Sequence, residues 1–413
     1  MKNELDSFMQ SGDIDALWII GPGQHNPALV YLTGGAHLTT ADLIKKRGET
    51  PMLFHGPMER DEAAKSGLSI RSYSNYPMRE ILKQAGGDKF QFLLLRYKRM
   101  FEDLNLKAGN VMMYGQTDLG LGYALVDGLQ KLVPEINFIG YQEEDILSQV
   151  MFTKDDEEIS RIRQMGQVTV DVVSRVAEFL TGHRVIEEVL VKENGSPLKI
   201  GEVKNLINLW LAELGVENPK GTVFSIGSDA GVPHSTGNPD DVLRLGQSIV
   251  FDIFPCESNG GYFHDFTRTW CLGYATDEVQ KAYDQVYSVY QKIVSELKVN
   301  ERFSKYQSRT CELFEEFGHP TVKSNPETEA GYVHSLGHGL GLHVHERPFC
   351  GASASEKDVL AARTVFTIEP GLYYPDRGFG VRLENTMWVS PTGQFEVLAD
   401  YPMDLVLPMR KND

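Results

Sequence analysis

"TVFTIEPGLYYPDRGFGVRLENTMWV", residues 364–389, consists of two apolar runs on either side of Pro-Asp-Arg-Gly, a strong turn signal. The pattern reads as a β-hairpin, and each arm carries one glutamate. Glu369 and Glu384 lie equally far from the centre of the turn, between Asp376 and Arg377, so a symmetric hairpin sets them face to face. A second stretch repeats the arrangement. "SIVFDIFPCESNGGYFHDFTRTW", residues 248–270, joins two apolar-aromatic runs through a turn-rich centre, with an aspartate in each run. Asp252 and Asp265 have their midpoint between Ser258 and Asn259, and a hairpin symmetric there places them opposite each other. The glycines at 260 and 261 admit a bulge that would shift this pairing.

Two hairpins that each oppose a pair of acids within apolar strands are costly. Like charges directly across a sheet repel at a Cβ separation of about 5 Å. A buried carboxylate without a partner costs several kcal/mol or takes up a proton. Either the acids share protons or cations bind between them, and four carboxylates suit two divalent ions. For any one acid the plain alternative is a solvated residue on an edge strand. For four acids in two mirrored hairpins that alternative needs the same coincidence twice.

"HSLGHGLGLHVHE", residues 334–346, adds four of the chain's eleven histidines. Its glycines at 337, 339 and 341 break up a helix and let the backbone pass close to a neighbour. Imidazole joins carboxylate oxygen around manganese, cobalt, zinc or iron, so the combination points to a di-metal hydrolytic centre. Taken singly, each histidine reads as a core or surface residue, and His343 and His264 are expected to be that.

Outward from the hairpins, the second half alternates amphipathic helices with β-rich stretches. "GEVKNLINLWLAELG" (201–215), "TDEVQKAYDQVYSVYQKIVSEL" (276–297) and "RFSKYQSRTCELFEEFG" (302–318) read as helices. Another begins near residue 153, with Thr153 as its cap, Asp155, Asp156 and Glu157 in its first turn, and Ile159, Ile162, Met165, Val172 and Val176 at helical spacing. The fold class is therefore α+β, helices on a mainly antiparallel sheet, over residues 151–413. Residues 1–150 read as a separate α/β domain. Its strands are "ALWIIG", "PALVYLTG", "TPMLFHG", "LSIRSY", "NVMMYG" and "INFIGY", with helices at "ERDEAAKSG" and "GYALVDGLQKLV". It contains no catalytic constellation and reads as a structural or substrate-gating domain.

Bulk properties exclude other classes. A chain of 413 residues with 41% hydrophobic and 23% charged residues buries a sizeable core without staples. A net charge of −17 argues against binding nucleic acid or anionic membrane. The four cysteines are scattered without a CxxC motif, no apolar run approaches spanning length, and the first residues hold no apolar leader core. A reduced, cytoplasmic protein is the expectation.

The blocks "HSLGHGLGLHVHE", "GYFHDFTRT", "TIEPGLY" and "GVRLEN" resemble, in matching order, the signatures of the creatinase/aminopeptidase family with the "pita-bread" fold. The resemblance covers essentially the whole second half, and an N-terminal α/β domain of this length matches the family's proline-specific branch. It implies Asp252, Asp265, His338, Glu369 and Glu384 as metal ligands, with Asp265 and Glu384 bridging two ions, Asp252 completing one site, and His338 and Glu369 the other. Manganese is the expected metal, with cobalt, zinc or iron as alternatives. Glu369 would take the proton of the attacking water, and His234, His334 and His345 would contact substrate. Arg382 and Thr267 would hold Glu384 and Asp265 in place, although simple pairing on the strand face serves equally well for both. The segment between Asp252 and Asp265 is two residues longer than the family's usual spacing, which puts the shape of the substrate pocket in question.

The implied activity is hydrolysis of the bond before a penultimate proline, as an Xaa-Pro aminopeptidase acting on peptides. An Xaa-Pro dipeptidase (prolidase) is the alternative, and a metal-dependent lyase or small-amide hydrolase on the same scaffold is another. Intact ligands argue against the metal-free creatinase type and against a non-enzymatic relative. A homodimer is implied by resemblance alone.

Overall fold

The computed structural model describes residues 4–141 and 145–410. Two compact units emerge. One is Met1–Met151 together with Asn259–Gly261, and the other is Phe152–Ser258 with Tyr262–Asp413.

The first unit is built on a six-stranded mixed sheet in the order Ser69–Ser72, Met52–His55, Ala41–Lys46, Ala16–Gly21, Gly109–Gly115, Ile136–Ile139. Its core gathers Trp18, Phe54, Phe101, Leu125 and Leu129. Helices Leu5–Ser11, Met78–Gln84 and Lys89–Asp103 are absent from the sequence reading, and two further departures bear on the strands assigned there. "PALVYLTG" is a helix, Pro27–Thr33, not a strand. Its residues are buried nearly all round, so periodicity says nothing. The ends decide instead: Pro27 opens the first turn and Gly34 leaves it with φ 72°. The strand Ala41–Lys46, absent from that reading, sits inside the sheet. Its polar residues are buried with partners: Asp42 accepts from Tyr73 and Tyr97 hydroxyls, and Lys45 donates to Asp6 at 2.5 Å.

The second unit is α+β as expected. A nine-stranded sheet runs Thr222–Ile226, Ser248–Ile253, Phe266–Leu272, Glu384–Val389, Val365–Ile368, His338–Gly339, Glu346–Phe349, with two further short strands on its inner members. All pairings are antiparallel except that of Val406–Leu407 with Phe266–Leu272. Helices Asp156–Thr181 and Ile200–Glu213 cover one half of this curled sheet, burying Phe224, Phe251, Phe266 and Trp270. Helices Asp277–Glu296 and Phe303–Glu316 cover the other half over Phe366, Ile368 and Met387.

The Asp156–Thr181 helix is capped by Asp155, not Thr153. The Asp155 carboxylate accepts the N–H groups of Glu157 and Glu158, and Glu158 returns a bond to the Asp155 N–H at 2.7 Å. This reciprocal box satisfies backbone donors that a lone threonine two residues earlier could not reach.

Candidate metal centre

Strand alternation sorts the site residues onto one face. Ile249, Phe251 and Ile253 go into the core beneath the helices, so Val250 and Asp252 face the other way. Phe266 and Trp270 do the same for Thr267 and Thr269, and Phe366 and Ile368 for Thr367 and Glu369. Met387 and Val389 point into the core, which leaves Glu384 and Thr386 on the face with the other acids.

The glutamate hairpin has the expected register. Val365↔Trp388 through Ile368↔Asn385, and Gly371↔Arg382 through Tyr374↔Phe379, all share the centre between Asp376 and Arg377. The aspartate hairpin does not. Asp252 pairs with Thr267, and Ile253 with Phe266, so the turn centre lies between Asn259 and Gly260. Both of those residues have positive φ, 71° and 78°, as the asparagine-glycine pair of a two-residue hairpin loop requires. The partner of Asp252 is thereby displaced by two residues. A shift of two keeps the face, so Asp265 lies diagonally across from Asp252 instead of opposite it.

His338 enters from the short strand beside Val365–Ile368. Its backbone N–H donates to Thr367 Oγ1 at 3.2 Å, and the Glu369 N–H donates to Leu336 O at 2.7 Å. The flanking glycines permit this approach, because a Cβ at Gly337 or Gly339 would collide with the carbonyl of Thr367 or Arg347. One ligand atom each from Asp265, His338 and Glu384 lies within 4.8 Å of the others.

Hydrogen bonds fix which atoms face the centre. His338 Nδ1 lies 3.1 Å from Gly339 O; a carbonyl only accepts, so Nδ1 carries the proton. The bare lone pair on Nε2 then faces Asp265 Oδ2 at 3.6 Å and Glu369 Oε1 at 3.5 Å. Thr267 Oγ1 donates to Glu384 Oε2 at 2.7 Å. Thr386 Oγ1 donates to the Asp265 carbonyl at 2.7 Å. Arg382 is 2% exposed and fans out between Asp252 Oδ2 (2.5 Å), Thr267 Oγ1 (3.2 Å), Tyr373 OH (2.8 Å) and Pro233 O (3.2 Å). Arg382 therefore grips Asp252 directly, while Thr267, expected to serve Asp265, bonds Glu384 instead.

The electrostatics are those of a cation-deficient pocket. Burial, then Glu384, Asp252 and Glu369, push the Asp265 carboxyl well above its usual range. Burial and Glu384 do the same to Glu369, and burial and Asp252 push Glu384 up to about 8. Burial pushes His334 and His338 down to about 3, so both are neutral and able to offer a lone pair. Tyr373 and the carboxylates outweigh the burial of Arg382 and hold its guanidinium well above the ordinary value.

Divalent ions fit this arrangement. Asp252 Oδ1 and Glu384 Oε1 are buried and, among the described residues, have no hydrogen-bond partner. A lone pair facing two carboxylates at 3.5–3.6 Å is repulsive unless a proton or a cation lies between them. The second ring nitrogen of His338, tied to a backbone carbonyl, is what a ligating histidine needs for orientation.

Comparison with known proteins agrees. The model of metallopeptidase family M24 matches residues 160–391, more than half of the chain. The chain belongs to metallopeptidase family M24. It is 26% identical to the Xaa-Pro dipeptidase of Pyrococcus horikoshii over 389 residues, 94% of this chain and 93% of that one. It is 29% identical to a putative dipeptidase of Bacillus subtilis over 267 residues, 64% of this chain and 65% of that one. In structure it resembles a P. horikoshii dipeptidase (TM-score 0.75, 20% identity, 98% of each chain) and a Thermotoga maritima X-Pro aminopeptidase (TM-score 0.72, 22% identity, 95% and 97%). The pita-bread fold, the metallopeptidase class and a dependence on divalent metal follow from the family.

Three further histidines of this M24 enzyme, His234, His334 and His345, bear on the centre or its neighbours. His345 stacks edge-on against His338 with ring centres 4.3 Å apart, and burial and His234 lower its pKa. His234 is exposed in the turn after the short helix Gly227–Ala230, near enough for its charge to bear on both His334 and His345. His334 belongs to a chain of bonds with fixed direction. Nδ1–H donates to Ser335 O at 2.7 Å, so Nε2 accepts from Tyr373 OH at 2.8 Å, whose oxygen accepts from Arg382. Sequence reasoning missed Tyr373. Strand alternation from Glu369 carries it, since residues 369, 371 and 373 share a face, and Gly371 leaves room for the hydroxyl. His343 is exposed, as expected. His264 is fully buried against Gly166, and neither of its ring nitrogens has a partner among the described residues.

Among the described residues no helix is long and apolar enough to cross a membrane.

Proposed function

We propose that the protein is a di-metal exopeptidase hydrolysing the bond between an N-terminal residue and a penultimate proline. The observation that carries this is the bare lone pair of His338 Nε2 aimed at Asp265 and Glu369, inside a group of four acids with one buried guanidinium. Asp252, Asp265, His338, Glu369 and Glu384 would hold two ions; mixed carboxylate and imidazole ligation suits manganese, the expected metal, and equally cobalt, zinc or iron. The ions, when bound, lower the pKa of water and polarise the scissile carbonyl.

The chain's own residues do the rest. Glu369 takes the proton of the attacking water and passes it to the leaving nitrogen. The Arg382–Tyr373–His334 chain keeps Tyr373 OH and His334 Nε2 in a single orientation beside the acids. His234 and His345 line the approach and contact the substrate. The bond before proline is a tertiary amide with no N–H, which general peptidases that rely on that donor handle poorly. The likeness over nearly the whole chain to a protein named Xaa-Pro dipeptidase supports the dipeptidase form of this reading.

The test offers Ala-Pro, Ala-Pro-Ala and Ala-Ala-Ala together to the manganese-loaded protein, with a chelated control, and reads products by mass spectrometry. Chelator-sensitive cleavage of Ala-Pro alone is the expected result. Release of alanine from Ala-Pro-Ala makes the enzyme an aminopeptidase. Three intact peptides overturn the peptidase reading and point to small amides or lyase substrates.

A further inference from the structure

Lys154 immediately precedes Asp155, the cap of the long helix, and Glu158 and Arg161 lie in the first turns of that helix; between them they reach two segments of the site. Lys154 is 1% exposed, and its Nζ lies 2.6 Å from Glu346 Oε1. Glu346 Oε2 accepts the backbone N–H of His343 at 3.3 Å. Gly341 makes room for this carboxylate, since a Cβ there would lie 2.5 Å from Glu346 Oε1. Glu346 thus closes the turn that carries His345, whose ring packs on His338. Within the helix itself, Glu158 accepts from Tyr262 OH at 2.6 Å, and Arg161 grips Glu257 through two bonds of 2.9 and 2.7 Å. Glu257 and Tyr262 are the last paired residues of the hairpin whose returning arm leads to Asp265.

We infer that Lys154 is a positioning residue, holding through Glu346 the turn that presents His345 to the substrate. The inference rests on the reading of His345 as a substrate contact. The helix does not need this lysine for its own start, because Asp155 and Glu158 already cap it. An ammonium buried to this depth costs free energy unless it is paired, and Glu346, a partner it has among the described residues, also bonds the histidine turn. Glu158 and Arg161 fix the hairpin arm from the same helix end, so the two segments keep a common reference.

The test uses the full chain with two variants. Lys154→Met/Glu346→Gln removes both charges of this pair, whereas Lys154→Arg retains the tie. Hydrogen exchange of residues 340–346 is read without metal, and kcat and KM for Ala-Pro with manganese. In the double variant exchange of this turn should rise about tenfold. Its kcat should fall about ten- to a hundredfold, with KM changed less than about threefold. Lys154→Arg should stay near wild type in both. Unchanged exchange, or a double variant with wild-type kcat, overturns the inference. If the wild type itself leaves Ala-Pro intact, the peptidase reading falls, and the exchange result alone decides the role of Lys154.

Discussion

Asp265→Asn separates the two ways in which this pocket can relieve its charge. The substitution keeps the side-chain shape and the oxygen that accepts the Phe266 N–H at 2.9 Å, and it removes one negative charge. In the metal-free protein Asp265 faces Glu384, Asp252 and Glu369, with Arg382 as the cation among them. Ligand atoms of Asp265 and Glu384 lie within 4.8 Å. Two unit charges at that range repel by about 3–4 kcal/mol at an effective dielectric constant of about 20. Wild type escapes part of this by taking up protons, since burial and the neighbouring acids raise Asp265, Glu369 and Glu384, the last to about 8.

The sign follows from linkage. Carboxyls raised on folding make the folded state bind more protons than the unfolded one, so metal-free stability falls as pH rises from the unfolded value, 4.5 for glutamate, toward about 8. Metal-free Asp265→Asn should therefore match wild type near pH 5. At pH 8.5 it should exceed wild type by about 1–3 kcal/mol, a few degrees in Tm for a unit of this size. Manganese reverses the order. Wild type gains about 2.7 kcal/mol per site at a hundredfold excess over Kd, whereas the variant, short of a shared ligand, gains less than half of that. Scanning calorimetry at both pH values, after chelation and with manganese, measures all of these. A metal-free variant less stable than wild type at pH 8.5, or an equal metal-induced shift in the two proteins, would refute the assignment of the acids to one cation site.

Tyr373→Phe deletes the hydroxyl between Arg382 and His334, each 2.8 Å away, and leaves the ring in the core. It should cost about 1–3 kcal/mol of stability and lower kcat/KM for Ala-Pro by at least about tenfold, with metal stoichiometry by calorimetry unchanged. Asp358→Asn tests a buried pair at the edge of the sheet. Burial would raise this carboxyl, but the Ser355 N–H and Arg347 outweigh it and hold the pKa below the ordinary value. A depressed carboxyl contributes stability above its unfolded pKa of about 3.9 and loses it as pH falls through the folded value. The Tm gap between wild type and variant should therefore be wide at pH 6 and narrow as pH falls below the unfolded value of about 3.9.

The acids were legible because strand alternation and turn chemistry are local. Pro-Asp-Arg-Gly fixes its own centre, with Gly378 at φ 73°, and every pairing of the glutamate hairpin follows from it. The aspartate hairpin carried an equally local signal in Asn259-Gly260, one residue later than symmetry of the acids suggested. That error moved a partner without moving a face. Less could be read where burial erases pattern. Pro27–Thr33 is apolar on all sides, and the central strand Ala41–Lys46 hides its aspartate and lysines among partners distant in sequence. Tyr373 was missed for another reason: its role depends on Arg382 and His334 meeting at its hydroxyl, and only the folded chain shows that.

The same contrast explains why the face is lined with threonines as well as acids. Thr267, Thr269, Thr367 and Thr386 suit the strand by β-branching, and each spends its hydroxyl on a residue that must not turn. Thr267 fixes Glu384, Thr269 bonds the backbone of Arg382, Thr367 takes the His338 N–H, and Thr386 holds the Asp265 carbonyl. Carboxylates that repel one another would otherwise swing apart by rotamer change, which costs little on an open sheet. Held by neighbours, they stay turned inward, and the repulsion that remains is relieved by protons or by cations. In a pocket built this way the cost of assembling the charges is met in folding, so that cost would not count against the binding of divalent ions.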